Sequence, residues 1–268
     1  MPRSAQTAGA ATPHPLISNQ RLQQLYVTLL RARLLRQRNR LQQAAAPLVA
    51  REAIVTGTVT HLEVGDAVMP AAGDRVAALV LRHAAPGRAL SRVLAGAALP
   101  GVLASAPTAE ARFAIATGYA MARHGTTHIT LAFSGPGITS LNALRPSLSY
   151  AAQHKLGIIF VIETAAGADL SSAHNTQPLG LYGIPVDGND VVAIYRVAQE
   201  AIHRARRGVG PTLIDCEPWP LISKNDGSAD PVRRLEQVLE RRSLSTEKLK
   251  ERTLAAFKKE LNAASRRR

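Results

Sequence analysis

Between Leu131 and Ala165 the chain reads LAFSGPGITSLNALRPSLSYAAQHKLGIIFVIETA, two apolar runs separated by a glycine pair and a helical segment. The runs, His128–Phe133 and Leu156–Ile162, are near-continuously apolar and do not alternate. Strands buried on both faces of a parallel sheet have that pattern. The segment between them, from about Leu141 to His154, carries Pro146, which a helix tolerates only in its first turn. Parallel neighbours need a crossover of this kind. The stretch therefore predicts strand, glycine turn at Gly135-Pro136-Gly137, helix and strand, the layout of a phosphate- or cofactor-binding crossover.

Around this unit, strands and helices keep alternating, which points to one parallel α/β sheet. Residues 1–19 are rich in Ala, Thr, Pro and Ser and read as a disordered tail. Leu22, Leu25, Tyr26, Leu29, Leu30 and Leu34 recur at helical spacing, giving an amphipathic helix over about 20–40 with an arginine-rich outer face. A second helix covers Leu48 to Leu62 and ends at Gly65-Asp66. From Met69 to Pro107 the chain is Ala/Gly-rich, with turns at Pro86-Gly87 and Pro100-Gly101. Thr108 caps a helix running to Arg123. Val186 to Asp190 reads as a turn whose Asp190 caps a helix to about Arg207, and Pro211 to Cys216 is the next strand. After a polar linker, Asp230-Pro231 starts the first of two amphipathic C-terminal helices. The organisation expected is one domain over 20–220, with 221–268 as its C-terminal helical extension.

Composition narrows the partners. Aromatics are 4 % of 268 residues and apolar residues 46 %, so the core is built from Ala, Leu, Val and Ile. Cys216 is the one cysteine, which excludes an internal disulfide and favours a reducing, cytoplasmic setting. No apolar run reaches the roughly 18–20 residues of a membrane span, and no apolar stretch with a cleavage pattern marks a secretory signal. An arginine-rich, acid-free N-terminus also suits a transit peptide, but the helix over 20–40 has a place in the fold. The net charge of +14 invites a nucleic-acid reading. No acid precedes Glu52, while Arg21, Arg31, Arg33, Arg36, Arg38, Arg40 and Arg51 do, and the chain ends in Arg266, Arg267 and Arg268. Without a nucleic-acid motif or interleaved aromatics, solvated arginines on helix faces are the simpler reading. An acidic protein partner fits the charge equally well.

Four segments, in order, resemble a known family. They are REAIVTGTVTHLEVGD (51–66), ARFAIATGYAMA (111–122), LYGIPVDGNDVVAIYRVAQEAIHRARRGVGPTLIDCE (181–217) and DPVRRLEQVLERRSLSTEKL (230–249). The first looks like a family segment GQEA…G…L…GD, and the third like YGIPG…VDGND…A…AR.G.GPTLIE. The chain resembles the α subunit of the thiamine-diphosphate-dependent first component of 2-oxo acid dehydrogenase complexes, of the pyruvate, branched-chain and acetoin types. The resemblance implies a thiamine-diphosphate-binding fold, with a central mainly parallel sheet flanked by helices. It also implies thiamine diphosphate and magnesium as cofactors, and a homo-oligomer or a β-subunit-like chain as partner. An active member decarboxylates a 2-oxo acid and passes the acyl group to lipoamide.

The family holds magnesium through Gly-Asp-Gly and a later Asn-Asn, because the ion needs an octahedron of oxygens. In register, this chain has Gly135-Pro136-Gly137 and Glu163-Thr164-Ala165. Pro136 and Ala165 offer no side-chain oxygen, and Pro136 removes an N–H from a phosphate-cradling loop. Ala71 and Ala72 stand where the family has a Tyr-Arg pair, and Glu217-Pro-Trp-Pro220 where a Gly-His-Ser loop follows. Four losses at one site imply an α-subunit-like chain without catalytic residues or metal ligands, serving as a structural or regulatory partner. The alternatives are an active subunit with ligands from Glu163, Asp169 or Asn175, or a basic protein that binds nucleic acid or an acidic partner.

Other residue groups have plainer readings. Asp187-Gly188-Asn189-Asp190 is a turn and helix cap, because the remaining calcium ligands are missing. His174-Asn175 is a polar surface loop, Glu163 a buried acid bonded to backbone amides, and Asp74 and Asp169 stand alone. His124, His128 and His154 lack metal-ligand spacing. Cys216 is a small buried group, and Ser134 lacks the G-x-S-x-G context of a nucleophile.

Overall fold

The computed structural model describes residues 17–40, 51–81, 88–165, 176, 179–217 and 230–266. Helices α1 (Asn19–Arg40) and α2 (Arg51–Val59) precede strand β1 (Ala67–Met69), α3 (Val76–Val80), α4 (Arg88–Ala95) and α5 (Ala109–Ala122). The crossover follows as β2 (Thr130–Ile138), α6 (Arg145–Gln153) and β3 (Ile158–Thr164). Then come β4 (Tyr182–Asp187), α7 (Val191–Arg206), β5 (Thr212–Glu217), α8 (Pro231–Arg241) and α9 (Glu247–Ser265). The five strands are all parallel in the order β1-β2-β3-β5-β4.

The central strands justify the apolar-run reading. Every residue of β3 is buried. Its Ile159 and Val161 join the cluster formed with α1, α2 and α7, while Ile158, Phe160 and Ile162 join the one under α5 and α6. Phe113 and Phe160 meet at 4.8 Å between ring centroids on the second side. The caps are also as read. Thr108 accepts from the N–H of Ala111, Asp190 from Val192 and Ala193, and Asp230 from Val232 and Arg233. Pro146 sits in the first turn of α6.

Four readings need correction. The glycine turn is no turn: β2 runs on through Gly135-Pro136-Gly137 to Ile138, with register shifts on either side of Pro136. Both glycines have positive φ, 78° and 86°, which lets the strand bulge and still pair with β3. Val186 and Asp187, read as the start of a turn, end a strand over Tyr182–Asp187; it lies at the sheet edge, where Pro185 is tolerated. The second helix spans only Arg51–Val59, and residues 48–50 lie outside the described set. The Ala/Gly-rich segment follows directly on β1 and contains α3 and α4, elements too short to show a period.

Two contacts fix the frame. The buried Asp66 carboxylate accepts the N–H groups of Glu63 and Ile129 and receives Arg206, with 2.6 Å from Nη2 to Oδ2. This pins α7 to the start of β1 and β2. Helix α2 crosses α7 so closely that a Cβ on Gly57 would lie 2.7 Å from Ile194 Cγ2 and 3.2 Å from the Tyr195 amide nitrogen. Helices α8 and α9 pack on α1, through Leu235, Leu239, Phe257 and Leu261 and through the 2.6 Å bond from the Tyr26 hydroxyl to Glu236. No helix among the described residues is long and apolar enough to cross a membrane.

Gly57→Ala is expected to force α2 and α7 apart and to cost about 1–3 kcal/mol, as overpacking does. Chemical denaturation measures it, and an unchanged midpoint would contradict the close approach.

Candidate functional site

The strand ends where an α/β sheet places its ligands are the C-terminal ones. Here the pairing sets Pro136 beside Glu163 and Ile138 beside Thr164, and the Ala165 N–H donates to the Ile138 carbonyl at 2.9 Å. Gly135, Pro136, Gly137, Glu163 and Ala165 thus share one edge of the sheet. The Glu163 N–H donates to Ser134 Oγ at 3.1 Å, and that hydroxyl donates to the Gly135 carbonyl at 2.6 Å, so Ser134 laces the bulge to β3.

Glu163 is the charge at the centre of this edge. It is 1 % exposed. Its Oε1 accepts from Arg51 Nε at 3.1 Å, and its Oε2 has no hydrogen-bond partner. Arg51, the first residue of α2, also places Nη2 3.4 Å from Asp74 Oδ2. Asp74 in turn accepts the Val76 N–H at the start of α3. Burial pushes the Glu163 pKa up, the Arg51 charge pulls it down, and Asp74 adds to the rise; the net shift is upward. For Arg51, burial works to lower the pKa, but Glu163 and Asp74 outweigh it and hold the guanidinium charged.

A second arginine closes the other side of the bulge. Arg112 donates from Nε to the Phe133 carbonyl at 3.2 Å, from Nη1 to Ala106 and Pro107, and from Nη2 to Ser134. A Cβ on Gly135 would meet Arg112 Nη2 at 3.2 Å and the Ala71 methyl at 3.4 Å. Burial, with the charge of Arg51, lowers the Arg112 pKa. Further out, Glu52 accepts from Arg33 at 3.2 Å and from Arg36, and Arg33 also grips Asp230 at 2.8 Å.

These pairings correct the sequence reading in three places. Arg33, Arg36 and Arg51 are not solvated on a helix face; their side chains are 23 %, 17 % and 13 % exposed and ion-paired. Glu163 binds a guanidinium with its carboxylate rather than backbone amides. Asp74, which seemed to stand alone, is Arg51's second partner. The one signal that could have found Arg51 was its place at the head of the REAIVTG segment, where the resembling family has glutamine.

The remaining candidates among the described residues have structural partners or are buried. Asp187 accepts from its own turn at Asn189 and from Arg234, and Asp190 serves as a cap. Among the described residues no group of three His, Cys, Asp or Glu is placed to hold a metal ion. His128 lies 3.9 Å from Asp66, and His154 stacks on Tyr150. Cys216 is buried, and burial pushes its thiol pKa well up. Ala72 is exposed with no polar group to offer, whereas Asp169, His174, Asn175 and Trp219 lie outside the described residues.

Among the described residues, the side chains at this edge do not fit a magnesium ion. The ion asks for several oxygens around it. Pro136 and Ala165 have none in their side chains, and one of the two oxygens of Glu163 is held by Arg51. A dication entering there would also face the Arg51 charge in a medium of low polarity.

A model of the family described as "Dehydrogenase E1 component" matches residues 20–219. Three relatives illustrate the likeness. The chloroplastic pyruvate dehydrogenase E1 component subunit alpha-3 of Oryza sativa is 36 % identical over 116 residues, covering 40 % of this chain and 27 % of that protein. The alpha subunit of acetoin:2,6-dichlorophenolindophenol oxidoreductase from Bacillus subtilis is 30 % identical over 125 residues, 43 % and 38 % of the two chains. The 3-methyl-2-oxobutanoate dehydrogenase subunit alpha of Mycobacterium tuberculosis is 32 % identical over 171 residues, 53 % and 47 %. The matched segments thus span under half the length of each of these relatives.

Arg51→Met leaves Glu163 buried without its counter-charge and is expected to cost about 3–5 kcal/mol near neutral pH. Because the carboxyl pKa in the fold then rises further above its unfolded value, the folded state binds the proton more tightly. The cost grows as pH climbs from the folded pKa of the parent, itself raised, through the higher one of the variant, and shrinks in acid. Arg51→Met combined with Glu163→Gln should recover most of the loss. Denaturation of the three proteins across pH 4–8 checks it, and a cost independent of pH would contradict the pairing.

Proposed function

The chain belongs to the dehydrogenase E1 component family, and from that premise we propose that it is an α-subunit-like member that binds neither magnesium nor thiamine diphosphate. It keeps the fold of a 2-oxo acid dehydrogenase α subunit and works as a non-catalytic structural or regulatory partner. One observation carries the reading: the Arg51 guanidinium bridges Glu163 and Asp74 at the strand ends where the family's metal ligands would converge. An internal cation there supplies the positive charge, so an external one would meet like charge beside the only free carboxylate oxygen of Glu163. Pro136 and Ala165 support the same conclusion from the ligand side.

The partner proposed is a β-subunit-like chain or a second copy of this one, in the cytoplasm. The surface offers material for such an association. Along α5, Ala114, Ile115, Gly118, Met121 and Ala122 are all exposed, and Ile115 is 49 % exposed. The reading of an active subunit with displaced ligands is weakened at Glu163, since one oxygen of that side chain is held by Arg51 and the guanidinium charge lies beside the other.

Isothermal titration of the full chain with thiamine diphosphate in excess magnesium chloride tests the proposal. The expected result is no saturable heat and no rise in melting temperature. Saturable binding, or a melting temperature that climbs with cofactor concentration as linkage requires, would overturn it.

A further inference from the structure

A cleft of about 1210 Å³ lies at the opposite end of the sheet from Glu163, between the outer face of α1, the end of α2, the turn before β1 and the end of α5. A shallower cleft of about 340 Å³ continues from it, sharing Gln20, Arg21 and Gln24 and reaching Tyr195 and Gln199 on α7. We infer that this groove docks an acidic, amphipathic helix of a partner protein.

The charge balance of the groove selects the sign of the occupant. Arg21, Arg31 and Arg123 line it, and none of the three forms an ion pair among the described residues. Arg21 donates to the Tyr195 hydroxyl and to Gln24, and Arg123 to the Tyr119 hydroxyl. Arg31 lies over the Phe257 ring at 5.8 Å, and its Nε is buried with no hydrogen-bond partner. The two acids on the wall, Glu63 and Asp66, are both taken by Arg206. The net charge of +14 therefore has an uncompensated share concentrated in one concave place.

Shape and polarity select the class. Small-molecule sites run to about 300–1,000 Å³, and this groove exceeds that before its extension along α7 is counted. Its floor is apolar, with Val27, Val59, Leu62 and Val80. Leucine-type side chains gain from such a floor, and a phosphate backbone does not. Arg21 and Arg31 lie ten residues apart on one helix, about 15 Å along its axis. Glutamates eleven residues apart on one face of a docked helix span about the same distance, with the apolar face turned to the floor, as in helix-in-groove recognition.

The test is fluorescence anisotropy on the full chain with a fluorescein-labelled 18-residue amphipathic peptide. The peptide carries leucines on one face and glutamates eleven residues apart. Saturable binding is expected, weakening as salt rises and falling at least about tenfold in Arg31→Glu and in Arg123→Glu, because like charges then face each other. The Arg123 side chain donates only to the neighbouring Tyr119, so its variant keeps the fold if Arg31→Glu does not. Arg145→Glu, exposed on α6 across the sheet, should bind as the parent does. The inference is overturned by no saturable signal, by equal affinity in the parent and Arg123→Glu, or by equal binding of a leucine-scrambled peptide or an oligothymidine of the same length.

Discussion

The bridge of Arg51 between Glu163 and Asp74 ties three separate pieces of chain together. It joins the first residue of α2, the end of β3 and the loop that caps α3, in a place where water does not screen charge. A buried carboxylate left without a partner is expensive, so each of these pieces is held to the position of the others. The consequence for chemistry is equally direct. A guanidinium is always charged and cannot be displaced by protonation, so the cation at this edge is permanent.

Around that bridge, the parallel sheet and its bulged strand end stand with Pro136 and Ala165 at the positions in register with the family's metal ligands. The bulged end of β2 keeps both glycines, and Ser134 still laces it to Glu163. The caps at Thr108, Asp190 and Asp230 and the Asp66–Arg206 pin depend on residues away from the metal position. Fold and chemistry rest on different side chains, so one can be lost while the other stays. Arg112 holds the bulge from its other side, its guanidinium satisfying four backbone carbonyls there.

How much of this was legible in the sequence depended on how local the cause was. The continuous apolar runs of β2, β3 and β5 announced strands buried on both faces, because their burial follows from residue type alone. The caps were legible for the same reason. β4 was not, since Pro185 and an exposed Tyr182 look unlike a strand until its edge position is known. That Pro136 and Ala165 bring no side-chain oxygen to that strand end could be read from residue type and register with the family. The Arg51 bridge could not: its partners lie 23 and 112 residues away in sequence, and only the folded sheet brings Asp74 and Glu163 to one guanidinium. The arginines of α1 misled for a related reason, because their acids at Glu52 and Asp230 arrive from other helices.

A crystal structure grown with excess thiamine diphosphate and magnesium chloride tests the central claim most directly. The account predicts the Arg51 guanidinium bridging Glu163 and Asp74, with no diphosphate beside Gly135–Gly137. Arg51 swung out of the edge, with a metal ion on Glu163 and a diphosphate against the bulge, would contradict it.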